Sequence, residues 1–130
     1  MRRLLGAFLI LLLAACAENT TTPVAGTEVV KTYPAHDRQV RVIRGELPPG
    51  TDYEVLGKVK AIEDGYGELA QAERKIAQSA RAIGADAIIQ VKVWHAPRAF
   101  SWASPHAEGT AVKLRRPESV NLDAVPGNWY

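Results

Sequence analysis

Residues 81–95, RAIGADAIIQVKVWH, set the tightest limits on how this chain folds. They read as the end of a helix, a glycine stop and the most apolar strand in the sequence. Gly84 directly follows Ile83, the last helix-periodic residue, and supplies the left-handed conformation that ends helices. Upstream, Leu69, Ala72, Ile76, Ala80 and Ile83 recur at spacings of three and four, which predicts a helix over 68–83 with one apolar stripe. Glu68, Glu73, Arg74, Gln78 and Arg81 fall mostly on its other side. Downstream, 86–95 alternates as a strand, with Ala87, Ile89, Val91 and Val93 on one face and Ile88, Gln90, Lys92 and Trp94 on the other.

The flanks supply partners for that unit. QVRVIR at 39–44 reads as a short strand, and Pro48-Pro49-Gly50 breaks the chain after it. A second strand spans 53–62, with Tyr53, Val55, Gly57, Val59 and Ala61 sharing a face. Gly57 leaves that face bare, which suits close approach of a helix or another backbone. A strand, a helix and a strand in succession give two parallel strands joined by a crossover. Residues 97–105 read as a loop carrying Phe100, Ser101 and Trp102, and 108–115 as a fourth strand returning antiparallel to the third. The expected fold class is α+β: one helix packed on a four-stranded mixed sheet, in the order β-β-α-β-β, forming a single small domain. The second face of that sheet, where Trp94, Ile88, Leu56 and Ile62 are expected, needs a cover. A core of this size is thin, so another subunit, the C-terminal tail or a partner is expected there.

The N-terminus states an address. Arg2 and Arg3 precede an apolar run from Leu4 to Leu13, which has the layout of a secretory signal and is too short to span a bilayer at ~20 residues. Its end, Leu13-Ala14-Ala15-Cys16, resembles the lipobox of bacterial lipoproteins. That resemblance implies cleavage before Cys16, lipidation of its thiol, and a stable anchor, because more than one acyl chain holds a protein firmly. Ala17 stands where an aspartate commonly signals inner-membrane retention in such lipoproteins, so the resemblance implies the outer membrane, facing the periplasm. The expected divisions are a lipoprotein signal peptide at 1–15, a lipid anchor and flexible tether at 16–38, a domain at 39–116 and a C-terminal tail at 117–130. The polar stretch from Glu18 to about Lys31 shows no period, and as a random coil it holds the domain ~20 Å from the lipid.

Charge and cysteine usage exclude several classes. Of sixteen basic residues, Arg2 and Arg3 lie in the leader, and the remaining fourteen balance fourteen acidic ones. A mature chain near neutrality lacks the basic excess that nucleic-acid binding draws on, so no nucleic-acid partner is expected. Cys16 is the single cysteine, which leaves no internal disulfide and no thiolate metal cluster within one chain.

LGKVKA at 56–61, SARAIGADAIIQVKV at 79–93 and EGTAVKLRR at 108–116 together resemble the YbjQ-type family of small bacterial proteins, often labelled heavy-metal-binding domains. The likeness spans roughly 53–116. It implies a single helix on a mixed sheet, often in a ring-like homo-oligomer, and it suggests metal or small-ligand binding as an alternative to protein contact. The chain also resembles in layout some periplasmic lipoproteins with similar small domains, including an envelope-stress sensor, but the sensor relies on cysteines absent here.

The residues do not themselves spell out a metal site. His36, Asp37, Asp86, His95, His106 and Glu108 are the potential ligands, and no two stand at a strong ligand spacing. His95 and His106 are secondary metal candidates that could face each other across the third and fourth strands, and the favoured expectation is that both are exposed near a loop. Asp86 is expected as a turn residue beside Gly84, and the pair Glu63-Asp64 as favourable charge at the helix start. Ser101 and Ser104 flank Trp102 near His106 with no carboxylate to orient a base, so an enzyme is not expected and no cofactor is implied. Trp94, Phe100, Trp102, Trp129 and Tyr130 are the candidate interaction residues, since exposed aromatics serve as interface anchors; the equal alternative for Phe100, Trp102, Trp129 and Tyr130 is that they fold back over the open sheet face. The expected function is that of a membrane-anchored envelope lipoprotein that contacts other proteins or copies of itself.

Overall fold

The computed structural model describes residues 28–130. The segment expected as a signal peptide, Cys16 and most of the expected tether lie outside the described residues. The chain folds as α+β, with one helix on a five-stranded mixed sheet. The elements are β1 (Arg41–Val42), β2 (Tyr53–Ile62), α1 (Leu69–Ala82), β3 (Ala87–Arg98), β4 (Ser101–Leu114) and β5 (Asn128–Trp129). Across the sheet they stand in the order β2-β4-β3-β1-β5. β4 is antiparallel to both β2 and β3, so those two run in the same direction with β4 between them. The count of four strands is corrected to five: β5, from the tail, pairs antiparallel with β1.

α1 begins and ends within a residue of its expected bounds. Gly84, at φ +79°, supplies the left-handed turn after Ile83, and Tyr33 and Pro34 crowd the space where a side chain would stand. The buried helical residues are Ala72, Glu73, Ile76, Ala77 and Ala80. Glu73 departs from its expected exposed position. It lies on the flank of the stripe, where Arg44 and Tyr130 reach it.

Two β-bulges rearrange the expected faces. Leu56 is an extra residue between Val55 and Gly57, which pair with Val112 and Ala111. Gln90, at φ 54°, lies in a second bulge between Ile89 and Lys92. Each extra residue inverts the alternation beyond it. Leu56, Val59 and Ala61 of β2 therefore share the helix side with Ile88 and Val91 of β3 and Ala107 and Ala111 of β4. Ile88 and Leu56, expected on the second face, are in the helix-side core and fully buried.

The second face carries a smaller core of its own. Ala87, Ile89, Val112 and Leu114 of the sheet pack with Ile43, Leu47 and Val125, and Tyr53, Val120 and Leu122 close its border. The tail is thus the cover over this part of the sheet. It crosses as two short 3-10 turns, Pro117–Ser119 and Leu122–Ala124, before entering β5. Arg41 is buried beneath it, donating from Nη2 to the Val125 carbonyl at 2.6 Å and lying over the Trp129 ring.

The stretch 28–38, expected as the end of the tether, is packed against the domain. Val29 bridges Gly57 antiparallel at the outer edge of β2. Val30 N–H donates to Leu56 O at 2.8 Å, and Lys58 N–H to Glu28 O at 2.8 Å. A Cβ on Gly57 would stand 2.7 Å from Val29 Cα, so the bare position admits this backbone. Because the pairing is antiparallel, the chain at Glu28 heads toward the Ile62 end of β2.

Candidate functional site

At that same end, β3 and β4 outrun their neighbours. β2 stops at Ile62, opposite His106, and β1 reaches only as far as Ile88 on β3. The residues expected as a loop at 97–105 instead complete a β-hairpin, with Arg98 paired to Ser101 across the turn Ala99-Phe100. Pro97 and Pro105 read as strand breakers in sequence. In the projecting ribbon the outer edges carry no ladder, and Pro97 falls at a register shift between Ala96 and Arg98, so both are tolerated.

The ribbon's base rests on the 63–68 segment before α1. His95 Nε2 lies 2.9 Å from Gly67 O, Glu63 N–H donates to Pro105 O at 2.9 Å, and Arg98 Nε stands 3.4 Å from Asp64 Oδ1. The carboxylates Glu63 and Asp64 are therefore ion-pair partners, of Lys75 and Arg98 respectively, instead of helix-start charges. α1 has no acidic residue in its first turn and no side-chain cap.

Beyond the base the ribbon is aromatic and bare. Phe100 is wholly exposed, Trp102 is 82% exposed and Tyr66, from the 63–68 segment, 68%. These rings, with Pro97, Arg98 and Ser101, line a shallow cleft of about 510 Å³. Phe100 occupies the left-handed region at φ 65°, where a bulky side chain is uncommon and strained. The fold thus holds a large apolar ring fully in solvent at a backbone position that would suit glycine.

The other aromatic candidates have different roles. Trp94 is partly exposed and stacks on His106 with ring centroids 5.3 Å apart. Trp129 donates from Nε1 to Asp123 Oδ1 at 2.8 Å. Tyr130 packs on the helix-side core, its hydroxyl donating to Glu73 Oε2 at 2.7 Å and its backbone oxygen accepting from Arg81 at 2.8 Å. Burial foremost, and then the Glu73 carboxylate, push the Tyr130 hydroxyl up to about 12. Trp129 and Tyr130 are therefore fastenings of the tail.

The histidines do not converge. His95 lies opposite Pro105 and Trp94 opposite His106, so the two rings project from opposite faces of the ribbon. His36 Nε2 is 2.6 Å from Ala85 O at the end of α1. Among the described residues no group of three or more His, Cys, Asp or Glu side chains gathers where a metal ion would be held. Asp86 accepts from Leu114 N–H at 2.9 Å and meets Lys113 at 3.3 Å, which makes it a clamp between β3 and β4. Ser104 is fully buried with its hydroxyl unpartnered, and no carboxylate is hydrogen-bonded to His106 among the described residues.

Sequence reasoning missed Tyr66 and the geometry that joins it to Phe100 and Trp102. The prolines at 97 and 105 hid the hairpin, and with it the common end on which the three rings sit. Comparison with family models, curated proteins and solved structures gives no match. The likeness to YbjQ-type proteins accordingly rests on the three motifs alone.

Proposed function

We propose that this protein is a lipid-anchored module of the bacterial cell envelope, held through acylated Cys16, probing its surroundings by surface contact through the Tyr66–Phe100–Trp102 end. Its expected place is the outer membrane, facing the periplasm. The observation that carries the reading is the sequence Leu13-Ala14-Ala15-Cys16 directly after an apolar leader, upstream of a domain whose tail closes its own second core. With that face occupied, the large exposed rings are concentrated at the hairpin end. Such rings anchor contacts because one side chain removes a large apolar area from water. Among the described residues no helix is long and apolar enough to cross a membrane, and a lipid anchor needs none.

The test is expression of the full chain and of Cys16→Ser in a Gram-negative host. Intact mass should show a diacylglyceryl-modified Cys16 as the first residue, and density fractionation should place the protein with outer-membrane vesicles. Cys16→Ser should leave the membrane fraction. A wild-type chain of unmodified mass in the soluble fraction would refute the proposal.

A further inference from the structure

We infer that the ribbon tip, through Phe100, Trp102 and Tyr66, seats in the headgroup–acyl boundary of the same bilayer that holds Cys16. The inference rests on the lipid-anchor reading and adds an orientation to it.

Three observations carry it. The first is where the chain comes from. Glu28 and Val29 run antiparallel to β2, so the chain at Glu28 points toward the ribbon end and away from the opposite end, where Asp52 and Arg115 lie. The second is length. Lys58, beside Glu28, is level with Thr110, and nine residues of β4 separate Thr110 from Ser101 at the tip. At ~3.3 Å per residue the tip stands about 30 Å beyond Glu28. Ala17 to Thr27 are eleven residues, whose fully extended reach is at most ~40 Å. Cys16 can therefore lie level with the tip within that reach.

The third observation is chemistry. Tryptophan and tyrosine settle at the headgroup level of membranes and phenylalanine enters the apolar side of that boundary. The charges at this end do not oppose approach. Arg98 is paired with Asp64, and Lys75 with Glu63. The strained left-handed Phe100 puts the apolar ring at the outermost point of the ribbon. Lipid anchoring by Cys16 makes the tip's attachment intramolecular, so a weak interfacial preference suffices to hold an orientation.

The experiment uses the full mature lipoprotein reconstituted in phosphatidylethanolamine–phosphatidylglycerol vesicles, with and without bromines on the acyl chains. Wild type is compared with Trp102→Phe, a substitution at an exposed site that leaves Trp94 and Trp129 in place. Because only an indole at the boundary meets the bromines, the emission difference between the two proteins should fall roughly twofold or more in brominated vesicles. The residual emission of Trp102→Phe should not change. Co-flotation with vesicles and the intact mass of Cys16 are read on the same samples. A lipidated, co-floating protein whose Trp102 component is unquenched overturns the inference and leaves the anchor standing. An unquenched Trp102 that is nonetheless shielded from aqueous acrylamide also overturns it and assigns the tip to contact with a second copy of the chain. An unmodified Cys16 with no flotation removes the anchor reading, and this orientation falls with it.

Discussion

The Tyr130 hydroxyl donates to Glu73 Oε2 at 2.7 Å, fastening the tail to a helix carboxylate that is 2% exposed. Arg44 meets the other oxygen of Glu73 at 2.7 Å, so the segment after β1, α1 and the tail share one polar junction. Burial, and then Glu73, raise the Tyr130 hydroxyl from 10.0 to about 12. The folded state therefore holds this proton more tightly than the unfolded chain does. Its contribution is complete below about pH 10 and is lost as pH rises through about 12.

Tyr130→Phe should lower stability at neutral pH by about 1.5–3 kcal/mol, the usual cost of deleting one hydrogen bond to a charged partner. Urea midpoints measured from neutral to strongly alkaline pH check both parts. Wild type should lose stability steeply over the alkaline range, and the variant should show a shallower decline there.

Gly57→Val should detach the 28–31 segment from the edge of β2. A Cβ there would press on Val29 Cα and Glu28 O, and the glycine also sits at φ +148°, where side chains are strained. The expected readout is local. The amides of Val30 and Lys58 should lose hydrogen-exchange protection while those of β3 and β4 keep theirs.

Val125→Ala tests the tail as a cover. Val125 is buried against Ile43, Leu47 and Ile89 on the face away from the helix. Removing two methyl groups and leaving a cavity should cost about 1.5–3 kcal/mol, read as a lower urea midpoint at unchanged slope. Val120→Ala, at the border of the same cluster, should cost less than about 1 kcal/mol.

These effects also mark what the sequence could and could not convey. The helix, its stop at Gly84 and the antiparallel return of β4 on β3 follow from local periodicity and one glycine, so they were legible. The faces of β2 and β3 were not, because the bulges at Leu56 and Gln90 are set by packing: Leu56 turns toward Ile76 and Ile88 in the helix-side core, and Gln90 N–H donates to Gly45 O at 2.9 Å. Period-two counting has no term for an inserted residue. The tail lacked a period altogether, since its order comes from long-range partners such as Arg41 and Glu73. Of the candidate site, Phe100 and Trp102 were legible as aromatic. Tyr66 was joined to them only by the fold.

Glu54 anchors the 28–33 segment through Lys31 and Tyr33. The hydrogen bond from Lys31 foremost, and then that from Tyr33, hold its carboxyl below the usual range. A depressed folded value means stability present above about pH 4.5 and lost as pH falls through the folded value. In Glu54→Gln the acid limb of the stability curve should flatten. Tyr33 and the 28–31 amides should also exchange faster at neutral pH, as two-dimensional NMR would resolve.

Phe100→Gly separates the cost of the ribbon tip from its use. Phe100 sits at φ 65° with its ring wholly in solvent, so no packing offsets the left-handed backbone. Glycine removes that strain, worth ~1–2 kcal/mol for an ordinary residue, and returns part of the gain as unfolded-chain entropy of ~0.5–1 kcal/mol. The variant should be as stable as wild type or up to about 1 kcal/mol more stable by urea unfolding. In vesicles the same substitution should weaken quenching of Trp102 by brominated acyl chains. A protein that gains stability and loses contact when one ring is removed keeps that ring for the contact. Loss of stability on removing Phe100 would show instead that the ring supports the turn.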